Sequence, residues 1–350
     1  MRKLKRLLVG LFLGANIASL ILLWTCCLST VISPAEHPRL ALLGLIFPVF
    51  LLINLCFCFF WLVFKVRLTL VPLVGMLLVG GYILDYCPIH KQTSGTDSTL
   101  CVISFNAGSI AGEDKYQKLT QYIKAMSPDI LCLQEISAAW ANRKEVKQML
   151  DSMHYTCAGG KEYFILSRLP ALSDTIRISY PSKQGEYSIA RWFAFGSDSL
   201  LVVNNHLESN HLSHEEKSEY RDVLRDPHHE NLRSEGLFLT EKLGTAVRAR
   251  AKQVQTLCQW IDSLNARSLI VCGDFNDTPI SYTYQQLARR LKSAYRESGN
   301  GFGRSFNQAG FYVRIDHIFY SADWTSTHTY IDRQMDLSDH YPVVTRLRRR

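Results

Sequence analysis

The first 89 residues of this 350-residue chain are almost entirely apolar, and this segment restricts the possible folds more than any other feature. Residues 7–33 carry no charged side chain and exceed the roughly 20 residues that a helix needs to cross a bilayer. A second uncharged stretch covers 40–64, and a third, 68–84, would be about 25 Å long as a helix. The sequence therefore predicts a transmembrane region of three helices, at about 7–32, 40–64 and 68–86.

A cleavable signal peptide is the alternative for the first stretch, because the basic segment MRKLKR precedes it. The stretch is longer than the apolar region of a signal peptide, which has roughly 7–15 residues. No small-x-small cleavage site leads into a polar mature start. We therefore interpret it as a membrane helix.

Basic residues next to these stretches predict the orientation of the chain. The first stretch is preceded by Arg2, Lys3, Lys5 and Arg6, and the turn between the second and third contains Lys65 and Arg67. Such residues favour the cytoplasmic side, so three crossings would place the N-terminus in the cytoplasm and everything after Asp85 outside it. We expect an integral protein of the cytoplasmic (inner) membrane of a bacterium, with the lipid bilayer as its partner. Because no internal charge marks a transport path, the helices are interpreted as an anchor.

Residues 90–98 form a polar stretch that we interpret as a linker, and residues 99–350 have the composition of a globular domain. Strand-like segments such as LCVISFN and SLLVVNNH alternate with helix-like segments. This alternation predicts an α/β domain with sheets covered by helices. The polar, His-rich residues at about 209–248 are interpreted as an insertion with one or two surface helices.

The charge balance argues against one class of function. Residues 101–350 carry 31 basic and 28 acidic side chains, whereas a domain that binds nucleic acid usually has a strongly basic face. A DNA-repair role is therefore disfavoured. Cysteine spacing indicates no zinc site, and whether any of the ten cysteines pair is left open.

Polar side chains follow several predicted strands at the point where each strand ends. In SLIVCGDFNDTP, residues 268–279, an apolar strand continues directly into Gly273 and Asp274. By itself this segment would be a turn, because Asp, Asn, Gly and Pro are common turn formers. Five other segments show the same pattern, with polar residues at Asn106, Glu135, Asn205–His206, Asp316–His317 and Asp339–His340. A shared site at one edge of the sheets explains the six segments better than six unrelated turns.

The chemistry that fits this residue set is metal-assisted hydrolysis of a phosphoester. Carboxylate and carboxamide oxygens suit a hard cation, Mg²⁺ or Mn²⁺, and Glu135 is a reasonable chief ligand. The cation would stabilise the leaving oxygen, and a carboxylate opposite it would deprotonate the attacking water. His and Asn side chains would donate hydrogen bonds to the developing phosphoryl charge.

The order of these motifs resembles the endonuclease/exonuclease/phosphatase superfamily, which includes deoxyribonuclease I-like nucleases, neutral sphingomyelinases and inositol-polyphosphate 5-phosphatases. The resemblance covers about residues 99–347. It rests on Asn106, QE at 134–135, NNHLE at 204–208, GDFND at 273–277, RIDHIF at 314–319 and SDH at 338–340. It implies a deoxyribonuclease I-like fold, a two-sheet β-sandwich flanked by helices, with the active site at one edge of the sheets. It also implies that Glu135 is the principal ligand of Mg²⁺ or Mn²⁺, with Asn106 and Asp339 near the metal.

The same resemblance implies catalytic roles for five further residues. Asp274 would hold the nucleophilic water, and Asn276 would contact a phosphate oxygen. His340 would contact the phosphate and be oriented by Asp316. His206 falls where many members place a second phosphate-contacting or acid histidine.

Some residues keep more than one interpretation. His206 could instead be a satisfied core histidine, and His317 is interpreted as structural. Arg314 could contact substrate or lie at the surface. Gly273 would let its strand pass close to the phosphate, and Asp277 is interpreted as an ordinary turn residue.

These observations predict a membrane-anchored, Mg²⁺-dependent phosphoric ester hydrolase that acts outside the cytoplasm by in-line attack of a water activated by Asp274. A phospholipid headgroup or a phosphorylated metabolite would suit a tethered site. The alternatives are an exported nuclease that degrades external nucleic acid and a catalytically silent membrane-anchored binding protein. No protein partner can be inferred from the sequence.

Overall fold

The structure is a computed structural model that describes residues 2–90, 99–108, 110–181, 186–210, 232–308 and 311–350. The described α-helices are α1 (Arg2–Cys27), α2 (Pro38–Ala41), α3 (Phe47–Phe64), α4 (Leu70–Leu77), α5 (Gly80–Tyr86), α6 (Glu113–Met126), α7 (Ala138–Ala141), α8 (Lys144–Ser152), α9 (Leu232–Leu264), α10 (Tyr282–Ala288) and α11 (Ala294–Ser298). The strands are β1 (Leu100–Asn106), β2 (Ile130–Gln134), β3 (Thr156–Gly160), β4 (Tyr163–Ser167), β5 (Ile176–Ser179), β6 (Tyr187–Phe195), β7 (Asp198–His206), β8 (Leu269–Asp274), β9 (Lys292–Ser293), β10 (Phe306–Gln308), β11 (Phe311–Val313), β12 (Asp316–Tyr320), β13 (Trp324–Ile331) and β14 (Val343–Arg349).

Two N-terminal segments of the described chain, Lys3–Thr30 and Pro38–Phe64, are helical, long and apolar enough to cross a membrane. The predicted third helix is wrong as a single helix, because α4 and α5 are separate and lie at an angle of 70°. The break falls at Leu78 and Val79, directly before Gly80 and Gly81, and adjacent glycines are poor helix formers and frequent neighbours of kinks. The described chain has three candidate membrane spans only if the bent pair of helices is counted as one span.

The described residues from 99 onward include two six-stranded mixed sheets, so the predicted α/β class is confirmed. The first sheet has the order β13-β14-β1-β2-β4-β3, and the second has the order β5-β6-β7-β8-β12-β9. β1 and β2 are parallel, as are β7 and β8, so the carboxyl ends of these four strands set the position of the residues that follow them. A separate hairpin is formed by β10 and β11.

The inner faces of the two sheets share one hydrophobic core. Val102, Cys132 and Val202 lie in this core with no exposed surface, which explains the continuous apolar runs of their strands. Helices α6 and α8 cover the outer face of the first sheet, and α9 and α10 cover the second. The fold is therefore a β-sandwich with helices outside, as the motif resemblance implied.

The sequence patterns missed some elements. β13 was not predicted because its sequence, WTSTHTYI, alternates polar and apolar residues around a β-bulge and has no apolar run. The segment YVRIDHIFYS was predicted as one strand but forms the end of β11 and all of β12. Residues 232–248 of the predicted insertion form the first half of α9, whereas 211–231 and linker residues 91–98 lie outside the described residues.

The N-terminal helices contact the sandwich directly. Ser29 Oγ donates to the backbone oxygen of Ile280 (3.0 Å), and Gly44 lies against the same carbonyl. At the end of α5, buried Asp85 forms an ion pair with Arg296 (2.5 Å) and accepts a hydrogen bond from Gln285 (2.9 Å). Residues 29–44 and 85 are therefore held on one side of the sandwich.

Arg314 belongs to the same contact, so its predicted surface or substrate role is wrong. Its side chain is 3% exposed and donates to the backbone oxygens of Asp85 and Phe302. The guanidinium also stacks on the ring of Tyr295, 4.1 Å from its centroid. Burial lowers the pKa of Arg314, and its two terminal guanidinium nitrogens donate hydrogen bonds to backbone carbonyl oxygens.

Candidate active site

The strand register brings the predicted polar residues to one edge of the sandwich. In the second sheet, both His206 of β7 and Asp316 of β12 pair with Asp274 at the end of β8. In the first sheet, Asn106 pairs with Gln134, so Glu135 follows immediately beside it. Parallel neighbours end at the same edge, which is why local strand endings far apart in sequence converge here.

Asn106 joins the two sheets at this edge. Its Nδ2 donates to Glu135 Oε1 (2.9 Å) on the first sheet and to Asp274 Oδ2 (3.0 Å) on the second. His206 Nε2 lies 3.2 Å from Glu135 Oε1 and 3.8 Å from Asp274 Oδ2. Side-chain oxygen or nitrogen atoms of Glu135, His206 and Asp274 all lie within 4.8 Å of one another. The four residues therefore form one compact polar group.

His340 is held between two buried carboxylates. Its Nδ1 lies 2.9 Å from Asp316 Oδ2, and its Nε2 lies 3.7 Å from Asp274 Oδ2. Burial lowers the pKa of His340, but the carboxylates of Asp316 and Asp274 outweigh that effect and raise the pKa to about 10. The ring is therefore an imidazolium at neutral pH, with Nδ1 donating to Asp316. The ring of Phe306 packs edge-on against it at 5.0 Å.

Asp274 is 1% exposed and belongs both to the compact polar group and to the cluster that it forms with Asp316 and His340. Burial raises the pKa of Asp274, and the nearby charge of Asp316 raises it further, against the opposing effects of His340 and His206. Its Oδ1 accepts a hydrogen bond from the backbone nitrogen of Asn276 (2.8 Å). A carboxylate with a raised pKa is a stronger base, which is the property needed to take a proton from water.

Asn276 has a left-handed backbone conformation, with φ +51°, as has Glu135. Its Nδ2 donates to the backbone oxygen of Leu207 (3.0 Å), and its side chain lines the cavity in front of Asp274. The predicted phosphate contact of Asn276 would use its second amide hydrogen. Strained φ angles at non-glycine residues are frequent at functional sites.

Gly273 lies in close contact with the neighbouring strand, and the approach to a phosphate that the sequence predicts for it stays a prediction. Its φ is +141°, and a Cβ built on it would lie 1.9 Å from the backbone oxygen of Asn205 on β7. The glycine therefore allows close contact between β7 and β8. Phe275 faces the core with no exposed surface.

Asp339 lines the same cavity but lies apart from the compact group. Its Oδ1 accepts a hydrogen bond from Ser338 Oγ (3.3 Å), and its backbone oxygen accepts one from the nitrogen of Asn307 (2.8 Å). The predicted metal residues Glu135 and Asn106 are thus in contact with each other, whereas Asp339 faces them from the segment before β14.

Sequence reasoning missed a buried ion pair beside the site. Arg250 of α9 is 2% exposed, and its Nε lies 3.5 Å from Asp277 Oδ2. Arg250 also donates to the backbone oxygen of Glu208 (2.9 Å). The prediction that Asp277 is an ordinary turn residue is therefore wrong. No local sequence pattern could have paired it with a helix residue 27 positions earlier. His317 is also buried, and its Nε2 donates to the backbone oxygen of Asp277 (3.0 Å).

The compact group fits a hard divalent cation. Carboxylates of Glu135 and Asp274 converge on the same nitrogen of Asn106, and two carboxylates at such short range repel each other unless a cation or a proton lies nearby. The carboxylate oxygens of Glu135 and Asp274 in this group suit Mg²⁺ or Mn²⁺ better than a soft metal. Asn106, in contrast, directs its Nδ2 into the group, and its Oδ1 accepts a hydrogen bond from Gly108 N.

Comparison with known protein families gives the class of this chain. Residues 103–340 match the model of the Endonuclease/Exonuclease/phosphatase family, and the chain belongs to that family. Members of the family hydrolyse phosphoesters, as nucleases or phosphatases, and generally use a divalent metal. Residues 9–86 match a model described as a domain of unknown function. No curated protein gives a significant match.

Solved structures with the same fold have low sequence identity to this chain. D. rerio TDP2 in complex with single-strand DNA product is 18% identical with a TM-score of 0.50, and covers 72% of this chain and 100% of its own. An endonuclease/exonuclease/phosphatase from Beutenbergia cavernae is 16% identical with a TM-score of 0.50, and covers 72% of each chain. The catalytic domain of human Nocturnin with a bound sulfate anion is 17% identical with a TM-score of 0.49, and covers 72% of this chain and 95% of its own. At these identities the similarity establishes the fold alone.

Proposed function

We propose that this protein is a membrane-anchored, Mg²⁺- or Mn²⁺-dependent phosphoester hydrolase whose catalytic domain lies outside the cytoplasm. The observation that carries the proposal is the convergence of Asp274, His340 and Asp316 with Glu135 and Asn106 at one edge of the sandwich. Its substrate is a phosphoester at the membrane face, such as a lipid headgroup or a phosphorylated metabolite.

Asp274 orients the attacking water and takes a proton from it. The water oxygen forms a bond to phosphorus as the ester P–O bond on the opposite side breaks. The imidazolium of His340 donates from Nε2 to a phosphoryl oxygen, while Asp316 accepts from Nδ1 and keeps the ring oriented. His206 and the free amide hydrogen of Asn276 provide further donors at the same edge.

Glu135 and Asn106, with Asp339 nearby, would hold the divalent cation. When bound, the cation neutralises phosphate charge and stabilises the leaving oxygen. Glu135 is suited to this role because its side chain is 31% exposed towards the cavity, whereas Asp274 and Asp316 are almost fully buried.

The membrane orientation has two supports. Helices α1 and α3 are apolar enough to cross a bilayer, and the segment between them, which contacts Ile280, carries one Lys or Arg, at Arg39. The opposite ends carry the cluster at residues 2–6 and Lys65, which favour the cytoplasmic side. A C-terminal reporter enzyme that is active only outside the cytoplasm tests the orientation, and activity of a cytoplasm-only reporter would contradict it.

Activity is tested with the full chain in detergent micelles and a chromogenic phosphodiester, bis(4-nitrophenyl) phosphate. We expect hydrolysis with Mg²⁺ or Mn²⁺, loss of hydrolysis with EDTA, and recovery when the metal is restored. Asp274→Asn should lower kcat by about 10²–10⁴-fold, because it removes the general base. Asp198→Asn, at the opposite end of β7, is the matched control and should retain wild-type activity. Equal activity of Asp274→Asn and wild type would refute the proposed mechanism.

A further inference from the structure

The candidate active site opens into a cavity of about 320 Å³ with two chemically different walls. One wall carries Glu135, Asp274, Asn276 and His340. The other, which we call the apolar wall, consists of Ala41, Leu42, Leu45, Leu239, Leu243 and Val247. A cavity of this kind matches a ligand that has a polar end and an apolar end.

The N-terminal region supplies half of the apolar wall. Ala41, Leu42 and Leu45 belong to the short segment between α1 and α3, the two helices apolar enough to cross a membrane. Gly44 in that segment lies against the carbonyl of Ile280, and α9 packs against α2. The end of the anchor therefore forms part of the site and does more than tether the domain.

The apolar wall continues from the cavity to the outer surface. Leu45 lines the cavity and is still 45% exposed, and its neighbour Ile46 is 42% exposed. On α9, Leu237 and Phe238 precede the wall residue Leu239 and are 61% and 58% exposed. Exposure of these apolar side chains to water is unfavourable, whereas contact with lipid chains removes this unfavourable hydration free energy.

The exposed apolar side chains of the sandwich gather near the anchor. Among the described residues from 99 onward, the large hydrophobic side chains that are exposed are Leu172, Leu237, Phe238 and Phe302. Phe302 packs against Tyr86 at the end of α5, with ring centroids 5.8 Å apart. Leu237 and Phe238 lie on α9, which packs against α2, so three of the four are on elements that contact the N-terminal helical region.

We infer that the substrate is a phosphoester of a membrane amphiphile, with its phosphate at Asp274 and His340 and its apolar chain along the apolar wall. The inference rests on the proposed function and adds the substrate class to it. The chain enters from the bilayer between the 38–46 segment and α9, so the substrate does not have to leave the membrane completely. The reaction is hydrolysis: water oxygen bonds to phosphorus, one P–O ester bond breaks, and the leaving oxygen takes up a proton.

The test uses the full chain in detergent with Mg²⁺ or Mn²⁺ and three soluble diesters: methyl, butyl and hexyl 4-nitrophenyl phosphate. We expect kcat/KM to rise with alkyl length, by up to about fourfold per methylene group that the apolar wall buries. Leu45→Gln and Leu243→Gln should each lower the hexyl-to-methyl ratio of kcat/KM. Leu172→Gln is the matched control, because Leu172 is exposed and outside the cavity, and it should keep the wild-type ratio.

The outcomes separate the two proposals. If none of the esters is hydrolysed with metal, the proposed function fails. If the methyl ester is hydrolysed and chain length has no effect in the wild type, only the amphiphile inference fails. An unchanged ratio in both Leu45→Gln and Leu243→Gln would also overturn the inference, since a ratio within one variant does not depend on how much of it folds.

Discussion

Gly273 is the position where one added methyl group tests the packing beneath the site most directly. Its φ of +141° lies in a region that side-chain-bearing residues rarely adopt. A Cβ there would lie 1.9 Å from Asn205 O and 2.7 Å from Asn205 C. Both atoms are backbone of the neighbouring strand, so no side-chain rotation relieves the overlap and β8 must move away from β7.

The expected loss of stability has two parts. The unfavourable backbone conformation costs about 1–3 kcal/mol. The overlap, relieved by shifting a packed strand, costs about a further 1–3 kcal/mol. Gly273→Ala should therefore lower the free energy of unfolding by about 2–6 kcal/mol, a large fraction of the roughly 5–15 kcal/mol of a typical domain.

The measurement is guanidinium unfolding of the full chain in detergent, followed by near-UV circular dichroism of the buried aromatic side chains. Two glycine controls separate the two parts of the cost. Gly196→Ala adds a methyl group at φ +60° in open space, and Gly160→Ala adds one in open space without a positive φ. We expect losses in the order Gly273→Ala, Gly196→Ala, Gly160→Ala. Equal losses for Gly273→Ala and Gly196→Ala would refute the close contact of β7 and β8.

Two further predictions concern buried histidines. Asp316→Asn keeps the shape of the partner of His340 but removes its charge, so the pKa of His340 should fall from about 10 and kcat should drop by about 10²–10³-fold. A ¹⁵N NMR titration of His340 and steady-state kinetics check these two expectations. An unchanged pKa would contradict the assigned contact between Asp316 and His340. Burial lowers the pKa of His317 to about 3, below an unfolded value of about 6.5, so the unfolded chain binds a proton that the folded chain does not. Stability should therefore fall as pH decreases from about 6.5 towards 3, by about 1.4 kcal/mol per pH unit from this residue. His317→Gln should reduce that slope in unfolding measurements between pH 4 and 6, and an identical slope would show that His317 takes up a proton in the folded state.

The ends of the strands could be predicted from sequence because the signals are local. Apolar runs of four residues mark β1, β2, β7 and β8, and each strand ends in polar residues that are costly to bury without a partner. The motif order then indicated that these ends meet. The structure supplies the contacts themselves, such as the bridge from Asn106 to Glu135 and Asp274 across the two sheets.

Other features depend on residues that are distant in sequence. Arg314 looked like a surface or substrate residue, yet it is buried and donates to the backbone oxygen of Asp85 at the end of α5. No sequence pattern near position 314 indicates that the N-terminal helices pack there. The ion pair of Asp277 with Arg250 likewise requires α9 to pack beside β8. The third apolar stretch was predicted from its composition, which does not indicate the 70° bend between α4 and α5.

The sequence by itself determined the α/β class, the apolar N-terminal helices and the identity of the polar residues at the strand ends. Each of these depends on periodicity or composition within one short segment, and hydrophobic burial acts on that pattern directly. Tertiary structure alone decided that the segment between α1 and α3 supplies Leu42 and Leu45 to the cavity that Asp274 also lines. That cavity exists because three remote segments pack together, and no local pattern records how they pack.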